Sequence, residues 1–260
     1  MPITSEELIG SLRQQPLLLV LRPRSPIDAA PMLERLHALG LQHVEIAWRS
    51  SSSWSGQCRE LIASFPALRF GAASIGSSEA VLAAKEAGFR YAMAPILEPA
   101  LLRQANALGI ILVPGVMTPT EIHQAKTLGC RLVKLFPAAA LGASYWAGLR
   151  EPLAGTLPFC VAAGGLVAVD VRPWLDAGVD AIALGAGRQG WSAVSCGGLA
   201  QVLEDLPRPG ASSGMGTGTG MPTPKAATSR KLPNESLPPD EETPSQPNRM
   251  ALPWPMRPPP

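Results

Sequence analysis

The sequence predicts an α/β protein in which a (β/α)8 barrel is followed by a disordered, Pro-rich C-terminal tail. Strand and helix patterns alternate eight times in about 190 residues, and strict alternation implies a parallel sheet. Eight units favour closure into a TIM barrel, here at the small end of its usual size. Several strands also carry a charged or polar residue where the interior of a barrel would lie. The alternative is an open, doubly wound sheet.

Short apolar runs rich in β-forming residues mark the eight strands. They are predicted at residues 17–21, 43–47, 68–72, 89–94, 110–113, 131–137, 159–162 and 181–184. A leading helix is predicted at residues 4–14, capped by Thr4 or Ser5.

A helical pattern follows each strand. These helices are predicted at residues 27–39, 54–65, 78–87, 98–108, 118–128, 144–153, 169–177 and 191–206. Glycine is the common C-terminal stop of a helix, and it stands just after five of them, at Gly40, Gly88, Gly109, Gly129 and Gly178.

The composition changes at residue 207. Fourteen of the 28 prolines lie in residues 207–260, where Gly, Ser and Thr are also frequent and no apolar periodicity occurs. Such a segment cannot bury enough apolar surface to offset its ordering entropy. We therefore expect a barrel domain at residues 1–206 and a disordered tail at residues 207–260. The P-x-x-P spacing at 244–247 could serve a partner, although such tails are more often simply solvated.

Composition also bounds the function. The net charge of +2 gives no reason to expect a nucleic-acid or membrane partner, and no apolar stretch reaches the 18 residues that a membrane span needs. The N-terminus does not resemble a signal peptide. The four cysteines are widely scattered, so we expect reduced thiols in a cytoplasmic protein. The three histidines show no metal-ligand spacing, and we expect no metal ion and no cofactor.

Lys134 lies within the strand predicted at residues 131–137. Side chains alternate along a strand, so Leu132, Lys134 and Phe136 share one face. In an apolar enclosure the pKa of a lysine falls, and a neutral amine can form a Schiff base with a carbonyl substrate. The alternative is a lysine on an edge strand that blocks aggregation.

The C-terminal ends of barrel strands carry the active site. Glu45 lies within the second strand, and burying it near a lysine is costly unless the two groups are paired or functional. The alternative for Glu45 is an ion pair with Arg49. Other candidates at these ends are Arg22, Arg24, Ser74, Pro95, Thr118, Gly164, Gly165 and residues 185–187.

The glycines at residues 185–190, G-A-G-R-Q-G, match a dinucleotide-binding fingerprint. That fingerprint requires a further strand with an acidic residue at its end, and no such strand follows here. The same glycines fit a phosphate cradle, because barrels commonly bind phosphate at the loops after the seventh and eighth strands. Gly164 and Gly165 fall in the other of these two loops.

Several motifs occur in the order and spacing of one family. The chain resembles the bacterial 2-keto-3-deoxy-6-phosphogluconate and 4-hydroxy-2-oxoglutarate aldolases. The resemblance covers residues 5 to about 205, and its first segment is similar to the galactonate branch. The motifs are P-L-L-L-V-L-R (16–22), V-E-I-A-W-R (44–49), F-G-A-A-S (70–74), A-P (94–95), V-P-G-V-M-T-P-T-E (113–121), V-K-L-F-P-A (133–138), A-G-G-L (163–166) and L-G-A-G (184–187).

The resemblance implies a metal-independent Schiff-base aldolase that acts on a small 2-keto acid as a homotrimer. It assigns the Schiff base to Lys134 and general acid/base catalysis to Glu45. It assigns substrate binding to Arg49, to Ser74, where the family usually has threonine, and to Pro95 within the A-P motif. It assigns phosphate binding to the backbone of Gly164, Gly165 and Gly185.

Two residues depart from the family pattern. Ala163 replaces a threonine that many members have, and Ala186 replaces a serine whose hydroxyl group often contacts phosphate. Losing one such contact would lower affinity by about tenfold. The sequence therefore leaves open whether the substrate is phosphorylated.

The predicted reaction is retro-aldol cleavage of a 2-keto-3-deoxy sugar acid. Its products would be pyruvate and an aldehyde, either glyceraldehyde 3-phosphate or glyoxylate. The alternative is a non-catalytic barrel that binds phosphate or a keto acid without turnover.

Overall fold

A computed structural model gives the fold of residues 3–149, 151–153, 157–185 and 193–206. In these residues nine parallel strands form one sheet, in the order β5-β4-β3-β2-β1-β9-β8-β7-β6. The strands are β1 (Leu17–Leu21), β2 (His43–Ala47), β3 (Arg69–Ala73), β4 (Tyr91–Met93), β5 (Ile111–Val113), β6 (Gly115–Val116), β7 (Leu132–Leu135), β8 (Phe159–Ala163) and β9 (Ala181–Gly185).

The helices of the described residues follow the strands in the chain and cover the outside of the sheet, except the first, which precedes β1 and packs against the barrel interior. They are α1 (Ser5–Gln14), α2 (Ala30–Ala38), α3 (Trp54–Ser64), α4 (Ser78–Ala87), α5 (Pro99–Ala107), α6 (Pro119–Thr127), α7 (Ala138–Leu141), α8 (Ala143–Leu149), α9 (Val171–Asp176) and α10 (Ala193–Asp205). Short 3-10 turns at Pro26–Ala29 and Ala168–Asp170 precede α2 and α9.

The sheet curls into a nearly closed barrel at Pro114. Proline has no N–H group to donate, so the ladder is interrupted there. The predicted fifth strand is observed as β5, and the unpredicted β6 follows the proline. β5 pairs with β4, whereas β6 pairs with β7. The carbonyl oxygen of Pro114 still accepts a hydrogen bond from the backbone N–H of Lys134, at 2.8 Å. β5 and β6 are therefore the two ends of the strand order, and Pro114 joins them. The predicted eight-unit barrel is confirmed, and the alternative of an open, doubly wound sheet is wrong.

Strand residues alternate between two apolar layers. On β2, Val44 and Ile46 belong to the layer between the barrel and its helices, whereas Ala47 belongs to the interior cluster. The outer layer is the larger of the two and contains residues from most of the helices. This alternation directs every second side chain of a strand into the barrel.

Helix α1 closes the N-terminal end of the barrel. Thr4 and Glu7 form a capping box that starts the helix. Leu8, Ile9 and Leu12 recur on one face of α1, and they pack in the same cluster as the interior residues of the strands. The helix therefore closes the end of the barrel opposite to the strand C-termini.

Some predicted bounds differ from the structure. The helix predicted at 144–153 is observed as α8, which begins at Ala143 and ends at Leu149. The helix α7, which Gly142 separates from α8, was not predicted. Three alanines and one leucine form α7, a segment too short to show a helical period. The strand predicted at 89–94 is only three residues long. The tail at 207–260, most of the glycine motif at 185–190, Ala186 and the start of the last predicted helix lie outside the described residues.

We expect Leu12→Ala to lower the free energy of unfolding by about 2–5 kcal/mol, because it leaves a cavity in the wholly buried contact between α1 and the barrel. Gln14→Ala, at an exposed position of the same helix, is the control and should change it by less than about 0.5 kcal/mol. Urea denaturation measures both variants. Equal stability of Leu12→Ala and the parent would mean that α1 is not part of the core.

Candidate active site

Lys134 lies on β7 and points into the barrel. The strand is hydrogen-bonded to β6 on one side and to β8 on the other, so the edge-strand alternative is wrong. The side chain is only 6% exposed. Its Nζ atom lies 4.6 Å from the centroid of the Phe136 ring, as expected for two residues on one face. Burial lowers the pKa of Lys134, and Arg22 adds to this effect, whereas the charge of Glu45 opposes it.

Glu45 faces the same interior from β2 and is 1% exposed. Burial raises the pKa of its carboxyl group to about 7, against the opposing charges of Lys134 and Arg22. Its Oε1 atom makes no hydrogen bond to any described residue. Arg49 is exposed beyond the end of β2, and no ion pair joins it to Glu45 in the described part of the chain. The ion-pair alternative for Glu45 is therefore wrong.

Arg22 and Ser74 meet at the C-terminal mouth of the barrel. The guanidinium group of Arg22 donates a hydrogen bond to the hydroxyl oxygen of Ser74, at 2.9 Å. Ser74 adopts a left-handed backbone conformation, with φ of +64°, which is unusual for a residue other than glycine. Arg22 also acts on the pKa of both Glu45 and Lys134. The sequence predicts Arg22 and Ser74 as separate candidates, and the structure shows that the two side chains are hydrogen-bonded to each other.

The loop after β8 packs tightly against the segment after Lys134. Gly164 and Gly165 have φ of +97° and +81°, which favour glycine. A Cβ atom on Gly164 would lie 2.8 Å from the Phe136 ring, and one on Gly165 would lie 2.8 Å from the Cβ atom of Ala139. Larger residues would therefore displace the strand end that carries the lysine.

Gly185 ends β9, next to β8, and is exposed. Gly164, Gly165 and Gly185 therefore lie at the ends of neighbouring strands, as a shared phosphate cradle would require. Ala163, whose departure from the family pattern the sequence showed, is buried at the end of β8. Ala186 lies outside the described residues.

Pro95 and Thr118 lie at the same end of the barrel. A Cβ atom on Gly115 would lie 2.4 Å from the backbone carbonyl group of Pro95, so β6 fits closely against the loop after β4. Thr118 forms the N-cap of α6 in a capping box with Glu121. These contacts give Thr118 a structural role.

Sequence reasoning did not single out Tyr91, which lies in the barrel interior on β4. Burial raises its pKa well above the usual range, and the charge of Glu45 raises it further. A tyrosine in a three-residue apolar strand has no sequence signal that separates it from an ordinary core aromatic.

The arrangement places an amine that can act as a nucleophile in the same interior as a carboxyl group that can carry protons. A lysine whose pKa is lowered is more readily the free amine, and a carboxyl group with a pKa near 7 can both give and accept a proton at neutral pH. Among the described residues, no group of three or more His, Cys, Asp or Glu is placed to hold a metal ion. The helices described here include none with the length and apolar character that crossing a membrane requires.

Comparison with known proteins identifies the family. The profile of the KDPG and KHG aldolase family matches residues 8–202. A 2-dehydro-3-deoxy-phosphogluconate aldolase of Haemophilus influenzae is 30% identical over 142 residues, which are 55% of this chain and 66% of that protein. A 2-dehydro-3-deoxy-6-phosphogalactonate aldolase of Escherichia coli K12 is 27% identical over 172 residues, which are 66% of this chain and 83% of that protein.

A solved structure supports the fold independently. The 2-keto-3-deoxy-6-phospho-gluconate aldolase of Zymomonas mobilis superposes with a TM-score of 0.66, over 77% of this chain and 98% of that chain. At 21% identity this likeness concerns the fold alone. The family match covers most of the barrel, including the strands that carry Glu45 and Lys134. The chain therefore belongs to the KDPG and KHG aldolase family of carbon–carbon lyases, whose members act on small keto acids.

Proposed function

We propose that Lys134 forms a Schiff base with a 2-keto-3-deoxy sugar acid, which this protein cleaves to pyruvate and an aldehyde. One observation carries this proposal. Lys134 and Glu45 are buried in the same interior, and each acts on the pKa of the other. Retaining two buried charges without a function would be costly. The other members of the family are Schiff-base enzymes.

In the proposed reaction the amine of Lys134 attacks the C2 carbonyl of the keto acid to give a carbinolamine, which loses water to form an iminium ion. The iminium accepts the electron pair of the C3–C4 bond as that bond breaks, and the C4 hydroxyl group becomes the aldehyde as it loses its proton. The resulting enamine is protonated at C3, and hydrolysis of the iminium releases pyruvate. Glu45, directly or through a water molecule, carries the protons between these steps.

The remaining candidates suit the two ends of this substrate. Arg49, Ser74 and Pro95 lie at the mouth of the barrel, where they would hold the carboxylate end and the chain of the keto acid. Arg22 donates a hydrogen bond to Ser74, and its positive charge would attract the carboxylate group of the substrate. The backbone of Gly164, Gly165 and Gly185 would hold a phosphate group.

The aldehyde is glyceraldehyde 3-phosphate if the substrate is phosphorylated and glyoxylate if it is 4-hydroxy-2-oxoglutarate. Both relatives described above are named as aldolases of phosphorylated sugar acids. Ala186 cannot supply the hydroxyl contact to phosphate that a serine would. Cleavage rates measured with phosphorylated and unphosphorylated 2-keto-3-deoxy acids would decide between them.

We expect Lys134→Ala to abolish aldol cleavage while the protein still folds, because the nucleophile is lost. Sodium borohydride with pyruvate should modify the parent at Lys134 and leave the variant unmodified, as measured by mass spectrometry. Lys85→Ala, at an exposed position of α4, is the control and should retain both activity and labelling. Activity of Lys134→Ala within a few-fold of the parent would contradict the Schiff-base assignment. A wild-type chain that is neither labelled nor active would favour the non-catalytic alternative.

We expect Glu45→Gln to lower kcat by about 10²–10⁴-fold, the usual scale of general acid–base catalysis. Borohydride trapping should persist at least in part, because the lysine remains. Arg49→Ala should mainly raise KM, and Glu60→Gln, exposed on α3, should change neither constant. Unchanged turnover of Glu45→Gln in steady-state assays would remove Glu45 from the mechanism.

We further propose that residues 1–206 form a homotrimeric barrel in the cytoplasm and that residues 207–260 are a separate tail. The family match ends at residue 202 and α10 ends at Asp205. The resemblance supports the trimer, and the free thiols of Cys58, Cys130 and Cys160 suit a reducing compartment. Cell fractionation tests the location.

A chain truncated after Leu206 should keep its activity and a melting temperature within about 3 °C of the parent, because the tail has no apolar face to pack. Both chains should sediment as trimers in analytical ultracentrifugation. A large loss of stability or activity on truncation would show that the tail belongs to the barrel, and a monomeric parent would overturn the trimer.

A further inference from the structure

Tyr91 lies in the barrel interior, and its hydroxyl group has no hydrogen-bond partner among the described residues. The residue is 2% exposed on β4. A buried tyrosine usually finds a partner for its hydroxyl group, because a bare hydroxyl in an apolar core is costly. Apolar packing of the ring therefore does not explain why a hydroxyl group lies at this buried position.

Gly71 makes room for the tyrosine. A Cβ atom on Gly71 would lie 2.3 Å from the Cε2 and Cζ atoms of Tyr91 and 2.7 Å from its hydroxyl oxygen. These are atoms at the hydroxyl end of the ring. The phenol thus extends from β4 across β3, over the position where any other residue would place its side chain.

This direction leads toward Glu45. In the register of the sheet, Gly71 of β3 is the partner of Glu45 on β2, and Glu45 points into the same interior. The Oε1 atom of Glu45 also lacks a hydrogen-bond partner among the described residues. Two buried polar groups without partners therefore lie in one interior on either side of the same glycine, one of them a donor and the other an acceptor.

We infer that Tyr91 is a positioning residue for Glu45, acting through a water molecule that accepts a hydrogen bond from the Tyr91 hydroxyl group and donates one to the Glu45 carboxyl group. The inference rests on the proposed function of Glu45 as the proton carrier. These hydrogen bonds would fix the orientation of the carboxyl group toward Lys134 and favour its ionised form. Gly71 is the residue that permits this contact.

The charges around Glu45 agree with this direction of donation. The pKa of Tyr91 is raised, so its hydroxyl group stays protonated and remains a donor. The other charged groups that act on Glu45 are Lys134, from β7, and Arg22, which follows β1. His43, on the same strand, has a pKa lowered to about 4 by burial and is uncharged at neutral pH. Tyr91 is therefore a neutral donor among these groups, and His43, whose Nδ1 atom also lacks a partner among the described residues, is a second neutral group.

Tyr91→Phe tests the inference, because it removes the hydroxyl group and keeps the ring over Gly71. Loss of a donor to the carboxylate raises the pKa of Glu45, so a smaller fraction is ionised at a given pH. The ascending limb of the kcat–pH profile should move to higher pH by about 0.5–1 unit. We expect kcat at neutral pH to fall about tenfold while KM changes by less than about twofold.

Two further variants separate positioning from packing. In the Glu45→Gln background, Tyr91→Phe should cause no additional loss of kcat, because its effect passes through the carboxyl group. Tyr145→Phe is the matched control, since Tyr145 donates its hydroxyl group to the backbone oxygen of Met117, and its profile should coincide with that of the parent.

The failure of this inference is distinct from failure of the proposed function. A wild-type protein that cleaves substrate, together with a Tyr91→Phe profile that superposes on it, would overturn the role of Tyr91 alone. An additional loss of kcat in the double variant would do the same. A wild-type protein that cannot be trapped with pyruvate would overturn the proposed function.

Discussion

The electrostatic coupling between Lys134 and Glu45 inside an apolar barrel is the interaction on which the site depends. Water would screen both charges and return both groups to their ordinary protonation states. Burial disfavours the charged form of each residue, whereas the partner's charge favours it. The balance leaves a lysine that loses its proton more easily and a carboxyl group that titrates near neutral pH. This balance requires the two side chains to project from different strands into one interior.

The rest of the fold maintains that enclosure. The interruption at Pro114 allows the two ends of the sheet to meet, and the carbonyl oxygen of Pro114 bonds to the backbone of Lys134 itself. Gly164 lets the loop after β8 lie against Phe136, whose ring contacts the amine of Lys134. The backbone at Pro114 therefore both closes the barrel and fixes the position of Lys134.

Residue pattern alone predicted the architecture well. The strands at residues 17–21 and 43–47 match the structure residue for residue, because both are fully buried and short buried strands leave a clear apolar signal in the sequence. The two-residue strand β6 and the four-residue helix α7 were missed, since segments so short show no period. Lys134 and Glu45 were found because a charge within an apolar strand is conspicuous. The pairing of Arg22 with Ser74 and the direction of Tyr91 depend on register and backbone conformation, which no local pattern encodes.

The helix that closes the N-terminal end of the barrel has a kinetic consequence. A cavity sealed at one end has a single route for everything that enters or leaves it. In the proposed reaction pyruvate stays bonded to Lys134 until the iminium ion is hydrolysed, whereas the aldehyde is free as soon as the C3–C4 bond has broken. Both products would then leave through this one opening, the aldehyde first and pyruvate second. In the reverse condensation, pyruvate would enter and bind before its aldehyde acceptor.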